Sequence, residues 1–284
     1  MSELRIDARA KINLTLEVVR RLPTGYHEIR TIFQQVELCD ELELADGGGG
    51  SISVSCDDAT LDAGPSNLVW RAAELMQKRF CPERGLRIQL RKRIAIGGGL
   101  GGGSADAAAT LAGLNRLWAL GLSRQDLMDL GLQLGMDVPF CVLGGTALGA
   151  GRGEILAPLP VLPPLDVVIA HPGVQSSTAQ AYAGLRPQQM GGGQATAAMA
   201  QAIRDGDVSA VAAGLYDVFE EDVCRRLPQV GRIKQVMLES GAWNAALTGS
   251  GACVFALARS PAEAQTIAAA VRREFPHVYV TRTT

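Results

Sequence analysis

The chain has 284 residues, enough for one large domain or two domains of ordinary size. Hydrophobic residues make up 47% of it and charged residues 20%, a composition that excludes an intrinsically disordered protein. The formal net charge of −2 argues against a nucleic-acid-binding protein, because such proteins usually carry a basic surplus.

The six cysteines are scattered along the chain, and none forms a C-x-x-C pair. This spacing indicates neither a disulfide framework nor a zinc site, and it is typical of a protein from the reducing cytosol. The N-terminus shows no signal-peptide pattern, and no apolar run approaches the ~20 residues that a membrane span needs. The sequence therefore predicts a cytoplasmic protein.

Hydrophobic periodicity predicts strands and helices in alternating groups along the first half of the chain. In chain order these are a bent strand or strand pair over 3–17, a strand over 29–44, a strand over 51–55, a helix over 67–80, a strand over 85–96, helices over 102–120 and 123–134, and short strands at 146–148 and 155–156. A tight turn over 46–50 predicts a hairpin between the second and third strands. Asn67 and Ser123 are predicted helix caps.

Four prolines in segment 156–165 mark the best candidate for a domain boundary, which predicts domains over 1–157 and 158–284. Beyond it, the patterns predict strands over 165–170, 244–247, 253–258 and 277–281 and helices over 178–183, 195–204, 229–239 and 261–274. Strands and helices mix without regular β-α-β alternation, so the predicted fold class is α+β.

The central feature is a glycine loop, defined here as residues 97–104, which follows a predicted strand and opens a predicted helix. Unpaired backbone N–H groups and the helix dipole favour a phosphate at such a helix start, and glycines let the backbone approach its oxygens. Small residues every three to four positions let the helix behind it pack closely on a sheet. The predicted phosphate-binding residues are Gly97, Gly98, Gly99, Leu100, Gly101, Gly102, Gly103 and Ser104.

Two established nucleotide-binding motifs match this segment only in part. Gly97, Gly99 and Gly102 satisfy the dinucleotide fingerprint G-x-G-x-x-G, but the segments that follow stay helical instead of completing a β-α-β unit. A Walker A loop needs a lysine before its Ser or Thr, and Gly103 precedes Ser104 here.

A cation from elsewhere could assist the loop, and Lys11 is one candidate. The run 91–93 (Arg-Lys-Arg) is another, although we favour a solvated strand end for it. Asp106 is interpreted as an acid of the first helical turn that favours the helix dipole.

Three separated segments together resemble the galactose/homoserine/mevalonate/phosphomevalonate kinase superfamily. They are residues 8–14, the glycine loop and residues 247–253. Residues 10–16, 25–28, 135–140 and 172–174 resemble more closely the kinases of that superfamily that act on a cytidine diphosphate-linked methylerythritol. The resemblance runs from about residue 6 to residue 258. Ala95 and Ala105 depart from it, since the family commonly has Pro and Ser there, and the second departure removes a hydroxyl that could contact phosphate.

The resemblance implies a two-domain small-molecule kinase. Its N-terminal domain would be ribosomal-protein-S5-domain-2-like and bind ATP, and its C-terminal domain would be a ferredoxin-like α/β substrate domain. ATP with Mg²⁺ would phosphorylate the 2-hydroxyl of the cytidine diphosphate-linked methylerythritol, in the non-mevalonate route to isoprenoids. The resemblance implies a monomer or homodimer with no nucleic-acid or membrane partner.

The resemblance also assigns roles to residues. Asp137 would accept the hydroxyl proton, and Lys11 would lie beside it and keep it ionised. Asn67 would contact the nucleotide base, and Ser104 would touch the metal ion or a phosphate. The substrate-binding residues would be Asn13, Tyr26, His27, Thr178, Tyr182, Gly249 and Ser250.

Three other functions stay open at this point. A superfamily kinase for a mevalonate-, homoserine- or sugar-type alcohol would have no use for the pair Tyr26 and His27. A nicotinamide-dependent oxidoreductase would use residues 97–102 and bind NADH instead of ATP. A non-enzymatic domain related to RNA-associated proteins fits poorly with the net charge of −2 and with the pair Asp137 and Lys11.

Overall fold

The computed structural model describes residues 3–284. The chain divides into two compact units, and each is assembled from several segments. The first comprises the residues up to Ala10, Leu38–Ile94 and Gly101–Gly144, and the second comprises Lys11–Glu37, Ala95–Leu100 and Gly145–Thr284. The proline-rich segment 156–165 lies inside the second unit, and the domain division at 157/158 stays a prediction.

The elements follow the predicted order closely. The strands are β1 (Glu3–Arg21), β2 (His27–Gly47), β3 (Ile52–Cys56), β4 (Gly85–Arg91), β5 (Thr146–Ala150), β6 (Ile155–Pro158), β7 (Asp166–His171), β8 (Tyr216–Asp217), β9 (Asn244–Leu247), β10 (Val254–Ala258) and β11 (His277–Arg282). The helices are α1 (Leu68–Phe80), α2 (Gly102–Leu117), α3 (Arg124–Leu132), α4 (Val138–Leu143), α5 (Thr178–Ala183), α6 (Gln194–Asp205), α7 (Val208–Ala213), α8 (Glu220–Arg226), α9 (Pro228–Glu239) and α10 (Pro261–Arg272). Within the described residues, none of these helices combines the length and apolar character that crossing a membrane requires.

The strands of the first unit are ordered β3-β4-β2-β1. Strand β4 runs parallel to β3 and antiparallel to β2, so it separates the two strands that the sequence predicts to form a hairpin. The hairpin prediction is therefore wrong. A turn signal locates a reversal of the chain, but it does not specify the strand that pairs next. Alternate residues of β4, such as Leu86 and Ile88, are buried, so one face of this strand packs on the core.

Helix α2 packs closely on the sheet of the first unit, as its small residues predict. A Cβ added at Gly113 would lie 3.1 Å from Cδ1 of Leu44 on β2. The cap predictions are also confirmed. The side chain of Asn67 accepts a hydrogen bond from the N–H of Val69, and Ser123 begins α3 with a capping box. The core of this unit is built from β2, β4, α1, α2 and α3.

The second unit contains a four-stranded antiparallel sheet in the order β11-β7-β10-β9. Its strands and the helices between them follow the β-α-β-β-α-β pattern of a ferredoxin-like fold. Strand β7 is buried along its whole length. Apolar residues of α9 and α10 pack on the sheet and complete a core separate from that of the first unit. The predicted α+β class and the ferredoxin-like C-terminal part are confirmed.

Candidate active site

The second half of the glycine loop, residues 101–104, belongs to the first unit and begins α2. Gly101 adopts the left-handed conformation with φ 69° and is the residue before the helix, where no side chain bonds to the first-turn amides. Gly103 is exposed, and the nearest neighbour of a Cβ built on it would be Cδ1 of Leu68 at 3.5 Å. This helix end has backbone N–H groups that no side chain caps, and the predicted binding of phosphate to them stays a prediction.

The first half of the loop, residues 97–100, belongs to the second unit and lies against the glycine turn, defined here as residues 248–251. A Cβ on Gly99 would clash with the carbonyl oxygen of Thr248, and one on Gly98 would clash with Sγ of Cys253. The N–H of Cys253 donates to the carbonyl of Gly98 over 3.0 Å. Gly98 and Gly99 therefore permit a close approach to Cys253 and Thr248, and their predicted contact with phosphate stays a prediction.

Lys11 and Asn13 lie on β1 in the second unit and are buried, 4% and 2% exposed. Nζ of Lys11 donates to Oδ1 of Asn13 over 2.8 Å, because residues two positions apart on a strand point to the same face. The N–H of Asn13 donates to Oγ1 of Thr248 over 3.0 Å, and Nδ2 of Asn13 donates to Oγ1 of Thr31 over 2.8 Å. The N–H of Lys11 also donates to the carbonyl of Leu100 in the glycine loop. One strand therefore links the lysine to both glycine segments of this unit.

The glycine turn completes this cluster. Gly249 has φ +60°, and a Cβ on it would lie 3.4 Å from Nζ of Lys11. The hydroxyls of Thr178 and Ser250 lie 2.8 Å apart, so two residues predicted separately to bind substrate share a hydrogen bond. Lys11, Asn13, the turn and the start of the glycine loop thus form one polar cluster within the second unit.

Asp217 on β8 is a member of this cluster that the sequence analysis missed, because no motif or periodic pattern covers it. It is paired with Leu16 of β1 and is 5% exposed. Its Oδ1 accepts from the N–H of Phe219 over 2.9 Å, whereas Oδ2 has no hydrogen-bond partner among the described residues. Burial raises its pKa well above the usual range and the charge of Glu220 adds to the rise, whereas the N–H of Phe219 and the charge of Lys11 oppose it.

Asp137 lies in the first unit at the start of α4, in the position before the first helical residue. It is half-buried, and its carbonyl accepts the N–H of Cys141 over 3.1 Å. The loop that leads into it approaches α2, since a Cβ on Gly135 would lie 4.0 Å from Oγ of Ser104. The predicted pairing of Asp137 with Lys11 joins residues of the two units and stays a prediction.

The side chain of Asn67 caps the start of α1. Its Oδ1 accepts from Val69 over 2.8 Å, and its Nδ2 donates to the carbonyl of Asp62 over 2.8 Å. Both polar atoms of the side chain already have backbone partners, so the predicted contact with a nucleotide base stays a prediction.

Aromatic side chains in the second unit bring together two further predicted substrate residues. The rings of His27 and Tyr182 are stacked with centroids 4.9 Å apart, and Tyr182 meets Phe219 edge-on. Burial, with a smaller effect from Arg21, lowers the pKa of His27, which favours a neutral ring. Tyr26 is 58% exposed, and Cζ of Arg152 lies 5.0 Å from the centre of its ring. Arg152 is not among the residues that the sequence predicts, because it follows a glycine in a turn that carries no motif.

Two interpretations of charged residues in the first unit are wrong. The side chain of Lys92 is only 7% exposed and is ion-paired with Asp40 and Asp106, so it is not part of a solvated strand end. Asp106 lies beyond the first turn of α2 and is buried, so its partner is Lys92 instead of the helix dipole. The position of Lys92 at a strand end does not reveal Asp40, which lies 52 residues earlier in the chain. The ion pair between Lys92 and Asp40 buries the lysine.

Among residues 3–284, no group of three or more His, Cys, Asp and Glu side chains could hold a metal ion. A Mg²⁺ ion that arrives with a nucleotide is held largely by phosphates and water, with one or two protein oxygens. The hydroxyl of Ser104, on the exposed first turn of α2, is an oxygen of that kind.

Comparison with known proteins agrees with this arrangement. Residues 67–145 match the family described as "GHMP kinases N terminal domain", and residues 199–277 match "GHMP kinases C terminal". The chain is 44% identical over 276 residues to a 4-diphosphocytidyl-2-C-methyl-D-erythritol kinase of Pelotomaculum thermopropionicum, covering 97% of this chain and 96% of the relative. It is also 44% identical over 287 residues to the protein of that name from Moorella thermoacetica, covering both chains completely.

A solved structure is similar along the same length. The crystal structure of a 4-(cytidine 5'-diphospho)-2C-methyl-D-erythritol kinase matches this chain with a TM-score of 0.86 and 33% identity, covering 99% of each chain. The similarity to these proteins, in sequence and in fold, therefore extends over nearly the whole chain. The chain belongs to the 4-diphosphocytidyl-2-C-methyl-D-erythritol kinase family of the GHMP kinases.

Proposed function

We propose that this protein transfers the γ-phosphoryl group of ATP to the 2-hydroxyl of 4-diphosphocytidyl-2-C-methyl-D-erythritol, giving ADP and the 2-phosphate, in non-mevalonate isoprenoid biosynthesis. The observation that carries the proposal is the cluster in the second unit. There a buried lysine contacts Asn13 over 2.8 Å and lies beside the glycine turn, and its backbone bonds to the glycine loop. A phosphoryl-transfer site needs such a positioned cation close to backbone N–H groups.

The glycine loop would bind the nucleotide. The uncapped first turn of α2, from Gly102 to Ser104, would donate backbone hydrogen bonds to the phosphates. Mg²⁺, when bound, neutralises phosphate charge, and Ser104 is the residue here that would help to hold it. Oδ1 and Nδ2 of Asn67 already bond to the backbone. The adenine contact assigned to this residue would therefore use another part of it, such as the flat face of the side-chain amide.

Asp137 would accept the proton of the attacking hydroxyl. A tertiary alcohol has a pKa far above 7, so removing its proton as the bond to phosphorus forms lowers the barrier. Lys11 would orient the hydroxyl and offset charge on the transferred group, and Asn13 would hold Lys11 in place through its Oδ1. Thr178, Gly249 and Ser250 would bind the diphosphate or alcohol part of the substrate, because they adjoin the polar cluster that contains Lys11.

The aromatic group would bind the cytidine. Tyr26 is exposed and available for stacking, and the stacked pair His27 and Tyr182 offers ring faces and polar edges. A neutral imidazole has one donor and one acceptor nitrogen and can therefore read the edge of cytosine, which also presents both. Kinases for mevalonate, homoserine or sugars have no base to recognise, so this group favours the cytidine-linked substrate.

We further propose that residues 1–157 carry the nucleotide and catalytic functions and residues 158–284 contribute most of the substrate contacts. The six cysteines are free, which suits a cytoplasmic enzyme. We expect a monomer or homodimer that acts on small molecules. Membership of a kinase family does not favour the nicotinamide-dependent oxidoreductase or the non-enzymatic domain.

A coupled assay of ADP release tests the proposal. The protein is supplied with ATP, Mg²⁺ and the cytidine-linked alcohol, and mevalonate and homoserine serve as competing acceptors. Asp137→Asn should lower kcat by about 10²-fold or more, since the base is lost while the shape is kept. Asp129→Asn, which alters an exposed acid on α3, is the matched control and should leave kcat unchanged. ADP release with mevalonate or homoserine in preference to the cytidine-linked alcohol would refute the substrate assignment.

A further inference from the structure

A buried chain of hydrogen bonds in the second unit decides which way the side-chain amide of Asn13 faces. Thr31 of β2 and Thr15 of β1 are both completely buried. The hydroxyl of Thr31 donates to the carbonyl of Thr15 over 2.6 Å, and Nδ2 of Asn13 donates to Oγ1 of Thr31 over 2.8 Å. A threonine has one hydroxyl hydrogen, so with that hydrogen committed to Thr15 the oxygen of Thr31 can only accept from Asn13. The amide must therefore turn its NH2 group toward Thr31.

The opposite end of the same amide faces two donors. Oδ1 of Asn13 accepts from Nζ of Lys11 over 2.8 Å and from Oγ1 of Thr248 over 3.3 Å. Oγ1 of Thr248 in turn accepts the N–H of Asn13 over 3.0 Å, so its hydrogen is available for Oδ1. Each polar atom of the Asn13 side chain thus has a partner of the right kind in this orientation.

The reversed orientation of the amide would be unfavourable at both ends. Nδ2 would then face the ammonium group of Lys11, which has only donors, and Oδ1 would face the oxygen of Thr31, whose hydrogen is already used. Lys11, Asn13 and Thr31 are all buried, so each mismatched polar group would carry the full cost of its desolvation. The hydroxyl of Thr31 therefore discriminates between the two orientations.

We propose that Thr31 is a positioning residue for phosphoryl transfer, because its hydroxyl keeps an acceptor atom of Asn13, and not a donor, against Nζ of Lys11. The inference rests on the proposed function, in which Lys11 orients the attacking hydroxyl and offsets charge on the transferred group. Thr31 is completely buried, so it acts on the reaction through Asn13 and not by contact with substrate. Without its hydroxyl the amide would populate both orientations, and the ammonium group would lose its fixed acceptor.

Two substitutions of Thr31 separate the role of its hydroxyl from that of its methyl group, which packs beside Gly149. Thr31→Val keeps the shape and removes the hydroxyl, whereas Thr31→Ser keeps the hydroxyl and removes the methyl group. Both should lower the melting temperature by about 2–6 °C. In the coupled assay of ADP release, Thr31→Val should lower kcat about tenfold and leave both KM values within about twofold, because the positioned lysine acts in the transition state. Thr31→Ser should keep kcat within about twofold of the wild type.

A double-mutant cycle shows whether the effect passes through Asn13. Thr31→Val should lower kcat about tenfold in the wild type but less than about twofold in Asn13→Ala, which has no amide to reorient. Thr146→Val is the matched control. Thr146 is buried on β5, which pairs with β2, and its hydroxyl donates to Oε1 of Gln34 over 2.6 Å. The control should lose comparable stability and keep its kcat.

The outcomes separate this inference from the proposed function. If the wild type turns over the cytidine-linked alcohol, an unchanged kcat in Thr31→Val, or an equal loss in the Asn13→Ala background, overturns the inference and leaves the kinase assignment standing. A wild type without turnover overturns the proposed function and the inference with it. If Thr31→Val does not fold, Thr31→Ala takes its place, because it differs from Thr31→Ser only by the hydroxyl. Equal kcat in these two variants would then overturn the inference.

Discussion

Nζ of Lys11 donates to Oδ1 of Asn13 over 2.8 Å, and the same Oδ1 accepts a hydrogen bond from Oγ1 of Thr248 over 3.3 Å. Oδ1 of Asn13 therefore joins a buried ammonium group to the glycine turn, and its Nδ2 is held by Thr31 of β2. A side chain with this role transmits the geometry of the turn to the lysine, so its removal should damage catalysis more than its own contacts with substrate would explain.

Asn13→Ala should lower kcat/KM by about 10²-fold, because a reactive group displaced by about 1 Å costs that much. Stability should fall by about 1–3 kcal/mol, since buried partners lose their hydrogen bonds. The matched control is Asn115→Ala, which breaks two side-chain bonds to the backbone of Leu122 in the first unit. The control should lose comparable stability and keep its kcat. Equal kcat in both variants would show that Asn13 has only a structural role.

Two glycines of the loop should respond in opposite ways to the same substitution. Gly99→Ala places a methyl group against the carbonyl of Thr248 at φ +80°, and overpacking with backbone strain should cost about 3 kcal/mol or more. Gly103→Ala places a methyl group in ordinary contact with Cδ1 of Leu68 on a helical backbone, so stability should rise by about 0.5–1 kcal/mol.

The same methyl group on Gly103 would lie on the exposed face of the first turn of α2. It should raise KM for ATP about fivefold, the effect of about 1 kcal/mol of crowding. Thermal unfolding and initial-rate kinetics of both variants measure the two effects. An unchanged KM in Gly103→Ala would mean that phosphates do not approach this face.

Asp217 gives the protein a predictable dependence of stability on pH. Its pKa is raised in the folded protein, so its favourable contribution is present below the unfolded pKa, about 4, and is lost as pH rises toward the folded pKa. Asp217→Asn removes this loss, and its melting temperature relative to wild type should increase from pH 5 to pH 7.5.

Asp217→Ala is the contrasting variant. It removes the acceptor for the N–H of Phe219 and should cost about 1–3 kcal/mol at pH 5 and less at pH 7.5, because it also removes the ionisable group. Melting temperatures of all three proteins at pH 5 and pH 7.5 decide the point. A difference between Asp217→Asn and wild type that stays constant with pH would mean that Asp217 is ionised throughout this range.

Tyr182 tests the cytidine site without touching the nucleotide site. Tyr182→Ala removes the ring that stacks on His27, which should raise KM for the cytidine-linked alcohol about 3–10-fold at unchanged KM for ATP. Tyr182→Phe keeps the ring and should behave nearly like the wild type. An Ala variant with normal KM for the alcohol would place the cytidine elsewhere.

The sequence predicted most elements because their signals are local. The cap at Asn67, the capping box at Ser123 and the bounds of α5 and β9 depend on residues within a few positions of each other. The failed hairpin between β2 and β3 depends on strand β4, which comes later in the chain, and no local signal specifies that pairing.

The sequence predicted the candidate site residues that lie in motifs, but not the buried charged residues beside them. Lys11, Asn13 and Gly249 stand in recognisable segments, and the structure places them together. Asp217 and Asp40 carry no motif, since their significance comes from burial beside partners distant in sequence. For Lys92, a basic run indicates a solvated surface until the tertiary fold supplies the two acids that bury it.

The central claim is the identity of the acceptor and of the hydroxyl that is phosphorylated. ³¹P NMR of the reaction of ATP with 4-diphosphocytidyl-2-C-methyl-D-erythritol tests it most directly. The account predicts that ATP is converted to ADP as one new phosphomonoester resonance appears, without coupling to a carbinol proton, because the phosphorylated carbon is tertiary. A phosphomonoester coupled to carbinol protons, or turnover only with an acceptor that lacks cytidine, would contradict the account.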